Sequence, residues 1–364
     1  MLAQPDKLHA AHDAVQVKGY DWRRSYDWNY EHVPSPVTSE EPAVTGHWDL
    51  CGLPVGSPLG IAAGPLLNGR WILYYASLGF DVLTYKTVRS RARASYPMPN
   101  LQPVTATRLG ADAPPLRAED TMRGSWAVSF GMPSKSPDVW RADVEATRRA
   151  LPKNKILSVS VVATPEPDWT LDDLADDFAR CARWAVESGA DCVEANFSCP
   201  NVASADGQLY QQPHAAGLIA SRVRRAIGSK PLLIKIGHIT SEAAATALTK
   251  ALAPHANALV MVNCISANVI DGEQRSMFDG QKRGIAGEAI RESALEQMRL
   301  FSRMMRQSDL KLQLVGVGGI TTAGHVRAFL DAGSHAVQLA TAAMLNPEVG
   351  RQLRKDLSEF GYLP

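Results

Sequence analysis

Eight residues, EANFSCPN (194–201), crowd a carboxylate, two amides, a hydroxyl and a thiol beside a proline. Each of these groups loses its water partners on burial, so an ordinary core strand has little use for them. The stretch leaves an apolar run at Asn196 and carries Cys199 into the loop that follows. A thiol there can act as general base or nucleophile once its pKa is tuned. No histidine lies nearby in sequence, so a hydrolytic Cys–His pair is not evident and proton abstraction from a carbon acid fits better. Whether Glu194 faces a barrel interior or a neighbouring helix stays open at this level.

Three further places carry polar chemistry at the ends of apolar runs. Lys86 in YKTV and Lys235 in IKIG are lysines where apolar strands seldom hold one. Either an anion or polar cofactor awaits the ammonium, or a single lysine snorkels at a rim. VNCISAN (262–268) presents Asn263 and Ser266, where an asparagine either bonds a heterocycle or makes a turn. GVGGITTAGHV (316–326) and ATAAM (340–344) join strands to helix starts, the pattern that lets backbone N–H groups approach a phosphate. A dinucleotide fingerprint fits less well: Thr321 replaces the third glycine, and no acidic residue ends HAVQLAT.

The elements that must position these groups alternate along the chain. PLGIAAG, DVLTYKTV, WAVSFG, ILSVSVVA, DCVEANFS, PLLIKIG, NALVMVN, LQLVGVGG and HAVQLAT are apolar β-rich runs separated by helical patterns. Continuous apolar character marks strands covered on both faces, as in a parallel sheet of βαβ units. An internal echo of helix, glycine and strand recurs in SLGFDVLTYK, ESGADCVEAN and DAGSHAVQLA. WAVSFG lies in a long proline-rich connection (89–138) and reads as an active-site loop element. The remaining runs predict an eightfold β/α TIM barrel from residue 58 onward, whose catalytic groups come from the C-terminal strand ends. TLDDLADDFARCARWAVESG predicts one of its helices, with a capping box at Thr170 and Asp173, Gly189 at the C-cap and Cys181 in the core.

Composition narrows the partners. The 364 residues are 45% hydrophobic and 21% charged with net charge +1, which gives no electrostatic case for nucleic acid or an anionic membrane. The short basic runs RSRARA (89–94) and RVRRA (222–226) read as solvated faces. Cys51, Cys181, Cys192, Cys199 and Cys264 form no CxxC pair, which argues against a metal site and suits a reducing compartment. With no signal-peptide pattern and no apolar run near 18 residues, a cytoplasmic protein without a membrane anchor is expected. Residues 1–57 differ in character, with Tyr20, Trp22, Tyr26, Trp28 and Tyr30 among charges, and read as an arm over the barrel or a dimer contact.

The ordered motifs AAGP, YKT, SFGMP, NFSCPN, IKIG, VNCIS, RGIAG, GVGGIT and QLAT resemble the dihydroorotate dehydrogenase family over roughly residues 52–350. The resemblance implies an FMN-binding barrel oxidoreductase of the soluble class, which has cysteine where the membrane-associated class has serine. It implies catalytic roles for Cys199, as proton-transfer group, and for Lys86. It assigns cofactor contacts to Ala63, Gly64, Lys86, Thr87, Lys235 and Asn263, and to Gly287, Gly318, Gly319, Ala340 and Thr341 towards the phosphate. It assigns substrate contacts to Ser129, Phe130, Gly131, Met132, Asn196, Asn201 and Ser266.

The departures lie on the substrate side. The family's NSMGLPN stands as VSFGMPS, with Val128 and Ser134 at its asparagines, and VNSVNS stands as VNCISA, with Ser266 at another. A pocket built to hydrogen-bond its substrate discriminates through those bonds. The expected reaction is therefore hydride transfer with a small cyclic amide or pyrimidine-like compound, served by an unidentified electron donor or acceptor in a homodimer. An authentic dihydroorotate dehydrogenase is the alternative, and a flavin-free barrel lyase or isomerase acting on a phosphorylated substrate is a second.

Overall fold

A computed structural model describes residues 18–38, 40–110, 113–198, 205–308 and 310–359. Its centre is a closed barrel of eight parallel strands in chain order. These are β1 (Leu59–Ile61), β2 (Val82–Val88), β3 (Ile156–Val161), β4 (Cys192–Asn196), β5 (Leu232–Lys235), β6 (Ala258–Met261), β7 (Gln313–Val317) and β8 (Ala336–Leu339). β8 pairs with β1 to close the ring, Gln338 opposite Gly60.

Alternation along the strands divides the apolar residues into two packed groups. Val82, Ile156, Cys192, Leu233, Val260 and Val315 fill the barrel interior with Leu50, which the hairpin Trp48–Leu50/Leu53–Val55 brings in from outside the barrel sheet. Their neighbours Leu83, Val193, Ile234, Leu259 and Leu314 pack outward with the helices. Side chains alternate faces along a strand, so Glu194 shares the inward face of Cys192.

The glycine echo has a conformational cause. Gly79, Gly189 and Gly333 follow the helices Gly69–Ala76, Leu171–Glu187 and Ala323–Asp331 with φ of 90°, 98° and 106°. That left-handed turn ends each helix before the chain enters the next strand, and a Cβ disfavours it. The helix Leu171–Glu187 carries the expected capping box, with Asp173 N–H donating to Thr170 Oγ1 at 3.2 Å and Thr170 N–H to Asp173 Oδ2 at 2.9 Å. Cys181 is fully buried beneath it, and burial pushes its thiol pKa up.

Over the strands' C-terminal ends lies an antiparallel sheet of four strands, ordered Ile265–Ala267, Arg283–Gly287, Ser125–Val128 and Leu101–Pro103. WAVSFG contributes to this lid and not to the barrel. The basic run RSRARA departs from a solvated face at Arg89, which is fully buried. Its guanidinium donates to Met132 O at 3.0 Å and to Ala163 O, while its own carbonyl accepts from Trp140 Nε1 at 3.1 Å.

The N-terminal segment braces this lid. The short helix Tyr26–Glu31 begins with Ser25 Oγ accepting from Trp28 N–H, and Tyr26 N–H donates to Asn100 Oδ1 at 2.9 Å. Asn100 Nδ2 in turn donates to Tyr96 O and Ser129 O, so one amide ties the segment to two stretches of the lid.

At the opposite end of the barrel, Asp81 is buried among Ser57, Lys155 and Arg354, with Ser57 Oγ at 2.6 Å and Lys155 Nζ at 3.0 Å. Breaking one partner of a buried charge cluster costs about 3–5 kcal/mol, because the remaining charge is left uncompensated. Asp81→Asn should lower stability by about that amount in urea titration, whereas Arg108→Ala, which removes the exposed pair with Glu296, should change it by about 0–1 kcal/mol.

Candidate active site

Two cavities of about 870 Å³ and 460 Å³ open at the strands' C-terminal ends and share Asn263, Ala286, Val317, Ala340 and Thr341. The shared wall makes them one elongated site, wide under the lid and narrow at the glycine loops.

The wide part takes Ala63, Gly64, Lys86, Thr87, Asn196 and Lys235 from strand ends. Lys86 and Thr87 are consecutive, yet both line it. A shift of register between β2 and β3, falling between Tyr85 and Val88, breaks the alternation there. Lys86 Nζ donates to Gly64 O at 3.3 Å and lies 4.5 Å from the Phe130 ring centre. Tyr26 completes this corner with its ring 6.1 Å from that of Phe130, edge to face. Lys235 is 4% exposed and makes no hydrogen bond or ion pair with a described residue.

The lid supplies an apolar wall of Leu101, Trp126, Val128, Phe130 and Met132. A tight turn aims the last two: Gly131 and Met132 have φ of 74° and 51°. A Cβ on Gly131 would come within 2.6 Å of the Tyr96 ring. Positive φ is uncommon for methionine, and the Arg89 bond to Met132 O holds the turn in place. Asn196 Nδ2 faces Met132 Sδ at 3.7 Å, and Asn263 Nδ2 donates to Ser198 O.

The narrow part is lined by Gly287, Gly318 and Gly319 and by the start of the short helix Thr341–Leu345. Gly287 has φ of 105°, and a Cβ on it would fall 2.1 Å from Gly124 O. Only glycine lets the lid strand pass that close to the loop before Ser125.

Every expected cofactor contact therefore borders the joined cavities, as do Phe130, Met132 and Asn196 of the expected substrate contacts. Ser129, Gly131 and Ser266 do not line them. Ser129 is buried, with its Oγ accepting from Arg283 Nε at 2.9 Å, and Ser266 pairs within the lid opposite Gly284. Cys199 and Asn201 lie outside the described residues. Sequence reasoning missed Leu101, Trp126 and Met344, whose apolar character resembles any core position. It left Glu194 undecided, and the alternation along β4 was the signal available.

Glu194 forms the floor of the wide part and is fully buried, with neither carboxyl oxygen hydrogen-bonded to a described residue. Burial raises its pKa, partly offset by the Lys235 charge and by the dipoles of Ser160 and Gln338. Those two side chains stand close without meeting hydrogen-bond geometry to it.

Fold and cavity together define a β/α-barrel protein with an elongated site at the strand ends, running from buried lysines to a glycine-lined pocket. The dihydroorotate dehydrogenase family model matches residues 47–360. The dihydroorotate dehydrogenase of Dictyostelium discoideum is 30% identical over 353 residues, covering 91% of this chain and 95% of that protein. The catalytic subunit of dihydroorotate dehydrogenase B (NAD(+)) from Desulforudis audaxviator is 28% identical, covering 85% and 91%. A crystal structure of the enzyme from Eimeria tenella in complex with ferulenol aligns with a TM-score of 0.70 over 92% of this chain and 88% of that one. At 18% identity that likeness is one of fold. The chain belongs to the dihydroorotate dehydrogenase family, and is an oxidoreductase of the CH–CH class.

The raised pKa of Glu194 has a consequence for the ligand-free protein. A carboxyl group with a higher pKa folded than unfolded binds more protons in the folded state. Stability then falls as pH rises from the unfolded value through the folded one. Glu194→Gln should lack this fall, so urea titrations at pH 5 and pH 8 should show the variant gaining on the wild type at the higher pH. Equal differences at both values would refute the assignment.

Proposed function

We propose that the protein binds FMN in the joined cavities and transfers hydride between it and an activated C–C or C=C bond of a small cyclic amide or pyrimidine-like substrate. One observation carries the reading: the Lys235 ammonium, buried and without a described hydrogen-bond partner, faces a chamber that continues into a glycine-lined pocket. A flat polar ring joined to a phosphate matches both ends, since the ring accepts from lysine and the phosphate suits glycine loops beside a helix start.

FMN supplies the hydride acceptor and donor when bound. The chain supplies the rest. Lys235 and Lys86 offer positive charge to the ring region, with Ala63, Gly64, Thr87 and Asn263 around it. Gly287, Gly318, Gly319, Ala340 and Thr341 hold the phosphate end. Cys199 removes a proton from the substrate carbon in the oxidative direction and returns one in the reductive direction. Asn196 and Asn201 orient the substrate ring, with Ser129, Gly131 and Ser266 behind the lid wall that Phe130 and Met132 form. The lid sheet excludes water, which strengthens each charge interaction beneath it. A separate electron donor or acceptor completes the cycle. Among the described residues no helix is long and apolar enough to cross a membrane. We place the enzyme in the cytoplasm as a homodimer.

A second reading, an authentic dihydroorotate dehydrogenase, is favoured by the identity to the Dictyostelium discoideum enzyme along nearly the whole chain. The preferred reading differs because Val128, Ser134 and Ser266 stand where the resemblance expects asparagines. Val128 gives the cavity an apolar wall, and Ser134 Oγ is engaged with Arg89 N–H at 3.1 Å. Steady-state assays with dihydroorotate separate the two: efficient orotate formation would establish the second.

The purified protein should be yellow with a flavin spectrum. A colourless protein that cannot be reconstituted with FMN would refute both readings. Cys199→Ser should retain flavin while losing about 10²–10⁴-fold in turnover at neutral pH, since serine is a far weaker acid. Unchanged turnover would remove Cys199 from the mechanism.

A further inference from the structure

Glu194 is an uncommon group to find on the floor of a barrel cavity. A fully buried carboxyl ordinarily holds hydrogen bonds, and neither of its oxygens has one with a described residue. Its surroundings are sparse in charge. Lys235 faces it from β5, Lys86 lines the same cavity from β2, and the Cys192 thiol lies on the inward face of its own strand. β3 contributes the hydroxyls of Ser158 and Ser160 and β8 the amide of Gln338, while β1, β6 and β7 contribute Ala62, Val260, Val315 and Val317. One buried carboxyl and two buried ammoniums, those of Lys86 and Lys235, thus share this chamber.

The neighbours can serve either protonation state. Gln338 donates through Nε2 to Thr84 Oγ1 at 3.1 Å, and its Oε1 has no partner among the described residues. The dipoles of Gln338 and Ser160 favour the ionised form of Glu194, while a protonated Glu194 adds an O–H to the same chamber. The ionised form instead balances the Lys235 ammonium.

We propose that Glu194 is a positioning residue that takes up one proton from solvent when the bound ring becomes negatively charged, so that Lys235 passes from balancing Glu194 to balancing the ring. The inference rests on FMN occupying the cavity, as proposed above. The hydride that this class of enzyme draws from its substrate carries two electrons and a proton, and leaves a reduced flavin with one negative charge. The Lys235 ammonium then neutralises the flavin. The Glu194 carboxylate binds a proton from solvent to become the neutral acid. The net charge of the chamber, with Lys86 counted, is then the same before and after, which avoids the cost of adding an uncompensated buried ion.

The test reads proton uptake rather than turnover. The midpoint potential of the bound flavin is measured against pH by spectroelectrochemistry, for FMN-loaded wild type and for Glu194→Gln. The expected slope near neutral pH corresponds to two protons per two electrons in the wild type and one in the variant, about half as steep. Equal slopes overturn the inference. If the variant fails to fold or to retain FMN, the reduced-minus-oxidised infrared difference spectrum of the wild type decides. A protonated-carboxyl band that appears on reduction and shifts in heavy water supports the inference, and its absence overturns it. A protein that binds no FMN refutes the functional reading itself, and this inference with it. A flavin-loaded protein with equal slopes refutes this inference alone.

Discussion

An ammonium held out of water must meet negative charge or oriented dipoles, and the upper barrel is arranged around that requirement. Lys235 is enclosed at the end of β5, with Glu194 as the carboxyl of the same chamber. Closure of the parallel sheet explains why both are there. Lower in the barrel, inward positions are taken by Val82, Ile156, Cys192, Leu233 and Val315, a packed apolar plug. Ser158 stands level with Cys192 of that plug, and the other polar inward side chains, Thr84, Ser160, Glu194 and Gln338, lie above it. Polarity thus rises along β2, β3, β4, β5 and β8 towards their C-terminal ends, the ends at which barrels build their sites.

The lid then determines how dry this chamber is, and its stiffness comes from a few buried polar ties. Arg89 grips Met132 O and Ala163 O, Asn100 ties the Tyr26 segment to Ser129 and Tyr96, and Ser125 Oγ accepts from Ala289 N–H at 2.9 Å. All of these but the local Asn100–Tyr96 bond join segments far apart in sequence. Their combined effect is to hold Phe130, Met132 and Trp126 as a wall opposite the lysines. A wall on loops alone would be mobile; a paired sheet braced by buried hydrogen bonds is not.

Much of this was legible in the sequence, because parallel strands and their connecting helices are local patterns. The eight barrel strands, the helix after Thr170 and the glycine turns at Gly79, Gly189 and Gly333 all follow from residues adjacent in the chain. The lid sheet was not legible, since Ser125–Val128 pairs with Arg283–Gly287 across more than half the barrel. No local periodicity reports such a pairing. Arg89 misled for a related reason: its basic neighbours are solvated, and only the return of Met132 and Ala163 to the same place buries it. Glu194 was ambiguous because β4 is buried on both faces, so polarity alone could not choose one.

The substrate side shows why a familiar barrel can host a different preference. Hydrogen-bonding sites reject analogues strongly because an unpaired buried amide is costly, whereas apolar walls discriminate by about 1–3 kcal/mol per methylene. Here Val128, Phe130 and Met132 form the wall, Ser134 is committed to Arg89 N–H, and Ser266 sits within the lid sheet without lining the cavity. A substrate ring meeting this wall is selected by shape and contact on that side. Its polar recognition must come from the opposite side, where Asn196 and the strand-end lysines stand. Such a division keeps the charged machinery fixed and leaves the lid free to vary, since changes in Phe130 or Met132 alter the pocket without adding or removing a buried charge.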